Sequence, residues 1–186
     1  MRRASALALV LLLGAPAGAQ ALSRRLFVNG DSLAVGTKPY LPKELKGWKV
    51  TQSATVSRHA NQGADVMRSL GSSLPRVIHV SLGTNDDPND VAGFRAAVRV
   101  VMVVAGSHRC VVWTNIVRPP AAGASYAGYN RVLARESSRR DNLRVVNWVR
   151  MVREHPEWLV GDGVHVNAEG YRARAQAVAG AVRRCR

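Results

Sequence analysis

The sequence predicts an α/β protein in which a central parallel sheet of about five strands is covered by helices on both faces. Five short apolar segments, most of them rich in Val or Ile, alternate with longer segments of helical character. That order is the pattern of a parallel sheet whose crossovers are helices. The length, 186 residues, allows one domain with a full hydrophobic core and leaves little room for a second. No internal repeat or low-complexity tail interrupts the alternation.

The chain opens on Met1-Arg2-Arg3, then an apolar run from Ala6 to Leu13, then small residues from Gly14 to Ala21. Charged, apolar and cleavable regions in that order make a secretory signal peptide. Residues 1–21 are therefore expected to be a leader, cut after Ala19 or Ala21, and residues 22–186 the mature domain. The apolar run is well short of the roughly 20 residues that span a bilayer. No Cys follows it to carry a lipid.

The strand candidates are Arg25 to Asn29, Trp48 to Val56, Arg76 to Leu82, Cys110 to Val117 and Leu143 to Trp148. Helical stretches are expected near Leu33 to Leu45, Gly63 to Leu70, Val91 to Ala105, Tyr126 to Arg139 and Ala168 to Arg183. Asp87-Pro88 reads as the capped start of the third of these, with Pro at its first position, and Ser125 as the cap of the fourth. The acidic group Asp86, Asp87 and Asp90 lacks the alternating ligands and glycine of a calcium loop, so capping accounts for it better. The stretch richest in Pro and small residues, Arg118 to Ala124, follows the fourth strand, at the sheet edge where open α/β proteins bind ligands.

The formal charge is +15, or +13 once Arg2 and Arg3 leave with the leader. Such a balance favours polyanions, whether acidic wall polymer or anionic lipid head groups. The basic residues are scattered and no basic run carries stacking aromatics, so no specific nucleic-acid surface is expected. A well-solvated surface is the simpler reading. Cys110 and Cys185 are expected to pair in an oxidising compartment, the alternative being two separate thiols. Neither has a Cys or His at metal-ligand spacing, and no metal site is expected.

Three fragments carry chemistry. Gly30-Asp31-Ser32-Leu33 joins the first strand to a helix, where a Ser sits beside free backbone N–H groups and the positive end of the helix dipole. This suits a nucleophile, although Gly-Asp-Ser is also ordinary turn chemistry. Gly83-Thr84-Asn85-Asp86 ends the third strand on the same sheet edge, where Asn85 can aim an N–H at a developing oxyanion or only shape the turn. Asp162-Gly163-Val164-His165 directly precedes the last helix and offers a base with a carboxylate to orient it. Alone, that pair also reads as surface polarity or part of a metal site.

Taken together and in this order, the fragments resemble the SGNH/GDSL hydrolase superfamily. The resemblance runs from Phe27 to the helix after Gly170-Tyr171, and the variant with Gly-Thr-Asn-Asp and Asp-Gly-Val-His most resembles domains of bacterial envelope enzymes. It implies a flavodoxin-like three-layer α/β/α sandwich, hydrolysis of carboxylic esters through an acyl-enzyme, and no cofactor. It assigns Ser32 as nucleophile, His165 as base, Asp162 as the orienting acid, and Ser32, Ser57 and Asn85 to the oxyanion hole. The family's second block carries a Gly where this chain has Ser57, with Gly63 as the fallback donor. Asp31 is read as a turn-fixing residue, not the triad acid.

Among the remaining candidates, Arg118 reads either as a partner for an anionic group of the substrate or as a solvent-facing residue, and Trp158 either as a wall of the acyl pocket or as simply core. His79 reads as a satisfied core histidine, and His59, His108 and His155 as loop residues. The expected protein is a secreted or periplasmic monomer acting on a small-molecule or carbohydrate ester. Two alternatives stay open: an O-acetyltransferase acting on envelope carbohydrate, and a non-catalytic basic module that binds polyanions.

Overall fold

The computed structural model describes residues 24–185, so the expected leader, residues 1–21, lies outside the described residues. Five strands form one sheet: β1 (Arg25–Gly30), β2 (Lys49–Ala54), β3 (Val77–Ser81), β4 (Cys110–Thr114) and β5 (Leu143–Val146). All neighbours pair in parallel in the order β2-β1-β3-β4-β5, the flavodoxin-like arrangement. Among the described residues seven α-helices connect and cover them: α1 (Ser32–Thr37), α2 (Leu41–Glu44), α3 (Ala60–Leu70), α4 (Val91–Ala105), α5 (Ala127–Ser137), α6 (Trp148–Glu154) and α7 (Ala168–Arg183).

Strand alternation divides the core between two faces. Phe27, Ile78, Val80, Val111 and Trp113 point to the side covered by α3, α4 and α5, where Met67, Phe94, Val98 and Leu133 meet them. Leu26, Val28, Val77 and Val112 point to the other side, against α1, α2 and the apolar stripe Ala175, Val178, Ala179 and Val182 of α7. Each such side chain contributes about 1.5–3 kcal/mol on burial, which makes the three layers one cooperative body. Among the described residues no helix is long and apolar enough to cross a membrane.

Several local expectations are corrected. The stretch expected as one helix from Leu33 to Leu45 is two, because Pro39 has no N–H to continue the first and Pro42 opens the second. Residues 148–154 form a helix that was not expected, capped by Asn147, whose side chain accepts from Arg150 N at 3.1 Å. Asp90, not Asp87, caps α4, accepting from Gly93 N at 2.8 Å. Ser125 caps nothing, since Tyr126 occupies the N-cap of α5 without a side-chain bond.

Candidate active site

β1 and β3 are neighbours, and their crossovers leave toward opposite faces, which opens a crevice at their carboxyl ends. Ser32, half-buried, is the first residue of α1, so its backbone N–H has no partner within the helix. Asp31 precedes it in extended conformation and caps the helix by accepting from Leu33 N at 3.0 Å. The Asp31 N–H donates to Ser81 O at 3.0 Å, which ties the turn to the end of β3. Asp31 thus fixes the turn, as its position beside Ser32 suggested.

The loop before α7 supplies the facing groups. A bridge between Leu159 and Val166 closes its base, and Val160 N donates to His165 O at 2.9 Å. Gly163 has φ +66°, and an added Cβ there would come within 2.8 Å of Pro119, so this loop needs glycine on both counts. Asp162 Oδ1 accepts from the backbone N–H groups of Val164 and His165, each at 2.9 Å. Its Oδ2 lies 2.5 Å from His165 Nδ1, and His165 Nε2 lies 2.8 Å from Ser32 Oγ. The His165 side chain and these backbone donors hold the Asp162 carboxyl down at about 2, so it is ionised at neutral pH.

Asn85 reaches the same crevice. Its Nδ2 donates to Arg58 O at 3.3 Å, and its Oδ1 faces Arg118 Nη1 at 3.4 Å. Arg118 Nη1 also donates to Thr84 O at 2.6 Å. The Asn85 carbonyl oxygen is thereby turned to Arg118, and one amide hydrogen is left for the crevice. Arg118 lines the cleft with Asn85, Pro119, Pro120, Ala121, Asp162, Val164 and His165, a space of about 310 Å³.

Ser57 stands in the turn after β2 with φ +62°, a left-handed conformation that suits glycine and that a residue with a Cβ rarely takes. The backbone at this position therefore keeps a glycine-type shape although the residue is Ser. Gly63 is corrected as the fallback donor: its N–H bonds to His59 O at 3.1 Å inside α3, and its O accepts from Asn29 Nδ2 at 2.8 Å.

Trp158 is also corrected. It lies in a buried cluster with Trp148, Val152 and Val166, stacked on Trp148 and His155, and does not line the cleft. Its backbone O accepts from Asn167 N at 2.8 Å, so it supports the Asp162 loop from below. His79 is buried, with Nε2 2.9 Å from Thr114 Oγ1; burial first, and Arg174 second, hold it neutral with a pKa lowered to about 3.

Two residues around the crevice were not expected. Arg58 Nη1 donates to Ser53 O at 2.6 Å and to Asn29 Oδ1 at 3.2 Å, which pins the Ser57 turn to the ends of β1 and β2. Arg174 of α7 is fully enclosed behind Asp31, with its guanidinium over the Trp148 ring at 5.0 Å. The Arg58 bond to Asn29 spans 29 residues, although its bond to Ser53 is local, and Arg174 reaches Trp148 from another helix. Among the described residues no three His, Cys, Asp or Glu side chains converge to hold a metal.

Solved structures share this architecture. The C-terminal catalytic domain of peptidoglycan O-acetyltransferase A from Streptococcus pneumoniae is 20% identical and superposes with a TM-score of 0.66, covering 86% of this chain and 89% of its own. The shared fold is the flavodoxin-like three-layer α/β/α sandwich. A GDSL-like lipase from Bacteroides thetaiotaomicron matches at 14% identity and TM-score 0.67, over 88% of this chain and 90% of its own. A lipolytic protein of the G-D-S-L family from Veillonella parvula matches at 14% and 0.70, over 86% and 98%. No family model and no curated protein matches the sequence.

Proposed function

We propose that this chain is an exported serine ester hydrolase of the SGNH/GDSL type, acting on carboxylic esters through an acyl-enzyme. The observation that carries the reading is the unbroken line from Asp162 Oδ2 to His165 Nδ1 at 2.5 Å and from His165 Nε2 to Ser32 Oγ at 2.8 Å. It lies at the sheet edge where α1 presents its free N–H groups. The order of the N-terminal segment and the joined Cys110 and Cys185 support export.

In this mechanism His165 Nε2 takes the Ser32 proton as Oγ attacks the ester carbonyl carbon. Asp162 holds the imidazole with Nδ1 protonated and offsets the charge that forms on it. The oxyanion accepts from the N–H groups of Ser32 and Ser57 and from Asn85 Nδ2, each such donor being worth about 3–4 kcal/mol of barrier. Collapse expels the alcohol with the proton from His165. Water, deprotonated by the same base, then releases the acid. Arg118 orients Asn85 and offers its remaining donors to an anionic substrate group.

A second reading is transfer of the acyl group to a sugar hydroxyl. It is favoured by the likeness to an O-acetyltransferase catalytic domain and by an open cleft whose His165 and Asp162 side chains are 38% and 50% exposed, accessible to a large acceptor. Turnover of p-nitrophenyl esters of increasing chain length tests the reaction class. Covalent labelling of Ser32 by a phosphonate with no labelling of Ser32→Ala supports it, and absence of both turnover and labelling refutes it. Acylated chito-oligosaccharide formed in place of free acid selects the transferase.

A further inference from the structure

The arginines that look scattered in sequence are gathered along one seam of the fold. Arg95 and Arg99 lie one turn apart on α4, Arg131 and Arg135 one turn apart on α5, and Arg139 in the turn that follows. Arg95, Arg99, Arg135 and Arg139 line a recess between the two helices together with Val132 and Glu136. Arg99, Arg131, Arg135 and Arg139 are exposed and Arg95 is half-buried. Glu136, the sole carboxylate in the recess, is already engaged by Arg140 Nε at 3.0 Å. Among the described residues none of the five arginines has a carboxylate within ion-pair distance.

Five guanidinium groups along one seam, four of them lining a single recess, raise the local positive potential, and an anion that several of them share lowers it. Along each helix they recur every four residues, about 6 Å of rise, and from Arg131 to Arg139 they extend about 12 Å. That is a row and not a point, so it suits a chain with repeated charges better than a single small anion. All five are arginines in a chain whose lysines are confined to Lys38, Lys43, Lys46 and Lys49, and the planar fork of arginine pairs with phosphate or carboxylate in two-pronged fashion.

We propose that the α4–α5 seam is a docking track for a linear polyanion bearing a phosphate or carboxylate on each monomer. A lipid surface fits it less well. Of the large apolar side chains exposed on the described residues, only Val103 lies on these helices, and one valine does not make the Trp, Phe or Leu face that inserts among head groups. No aromatic side chain lines the recess, so recognition rests on charge and not on stacked bases. The track lies on the outer layer, apart from the Ser32 crevice, and holds the protein on a polymer independently of what its active site does.

The test uses inorganic polyphosphate as probe, with vesicles of phosphatidylglycerol and an oligo-dT strand as the other arms. Wild-type protein binds polyphosphate with an affinity that falls steeply with salt. R99Q/R135Q/R139Q binds on the order of tenfold more weakly, with a salt slope reduced by about 2. Its melting temperature and turnover of p-nitrophenyl acetate stay at wild-type values. K38Q/K43Q/K46Q removes the same charge from the opposite face and binds as wild type does. Equal losses in the two triple variants would mean that net charge alone is read, and would overturn the track. Unchanged binding by the arginine variant, or a preference for the vesicles or the oligonucleotide over polyphosphate, overturns it as well. None of these results bears on Ser32 chemistry, which the esterase assay reports separately.

Discussion

Arg174 Nη2 donates to Ser81 Oγ at 3.0 Å in the interior, and Ser81 Oγ in turn faces Asp31 Oδ1 at 3.4 Å. The helix that follows His165 is thus joined, through one hydroxyl, to the turn that carries Ser32. Burial raises the Asp31 carboxyl above its ordinary value and the Arg174 charge pulls it back. The two groups neutralise each other where neither meets water. Replacing Arg174 by Met leaves Asp31 without its cation and is expected to cost about 3 kcal/mol at neutral pH. Because burial raises the folded-state pKa, the penalty on the ionised form grows as pH rises, so the loss is smaller near pH 4 than near pH 8. D31N/R174M is expected to lose less than the sum of its singles, and strict additivity in urea unfolding would show the pair to be uncoupled.

Ser32→Ala is expected to abolish ester hydrolysis and leave stability within about 0.5 kcal/mol, because the half-buried hydroxyl has His165 as its hydrogen-bond partner and is outside the buried core. Steady-state turnover and a melting curve on the same preparation check both halves. Retention of near wild-type turnover would refute the assignment.

The three fragments that meet at the crevice were legible because each is a contiguous run of polar residues at a strand end or before a helix. The parallel sheet was legible because Val-rich runs recur between helical stretches. Strand ends were less so: Trp48 to Val56 shortens to Lys49–Ala54 because β1 ends at Gly30, opposite Ala54, and offers no further partner. The misreading of Trp158 has a similar cause, since nearness in sequence to Asp162 says nothing of the side on which a side chain emerges. Arg174 acquires its role through a bond to Ser81, and Arg58 part of its role through a bond to Asn29, each in a segment far away in the chain. The α4–α5 arginines escaped notice because spacing by four residues looks scattered along a chain and adjacent on a helix.

Ser57→Gly is expected to raise stability by up to about 1 kcal/mol, since glycine takes φ +62° without the Cβ penalty, part of the gain being offset by the freer unfolded chain. The backbone N–H is kept, so kcat should remain close to wild type. A large fall in kcat with a raised melting temperature would mean that the Ser57 hydroxyl, not its N–H, serves the reaction.

Asp162 is held at about 2 against an ordinary value of 3.8 by His165 and two backbone donors. A depressed carboxylate stabilises the fold above the unfolded value, and that contribution is lost as pH falls from about 4 through about 2. Asp162→Asn should therefore flatten the acid limb of stability over that window. It should also cut kcat on the order of 10⁴-fold, because an amide no longer holds the imidazole in the required tautomer. Acid titration followed by circular dichroism, beside an esterase assay at pH 8, separates the two effects.

Cys110 and Cys185 are bonded across a separation of 75 residues, with Cα atoms 5.7 Å apart. Cys110 opens β4 at the sheet edge opposite the Ser32 crevice, and Cys185 follows the last turn of α7. The bridge therefore fastens the far end of the helix whose near end carries His165. Closing a loop of that length is worth about 4 kcal/mol in the chain-entropy model. For a domain of this size, that corresponds to a melting temperature lower by about 10 °C once the bond is reduced. Turnover at 25 °C should change little, because Asn167 caps α7 by accepting from Gly170 N at 2.9 Å and the Asp162 loop keeps its own hydrogen bonds. C110S/C185S should reproduce the melting shift without reductant, which distinguishes loss of the bridge from side reactions of the thiol reagent. Alkylation, without reductant, of protein produced in an oxidising compartment, followed by intact-mass measurement, is expected to add no label, and two labels per chain would rule the bridge out.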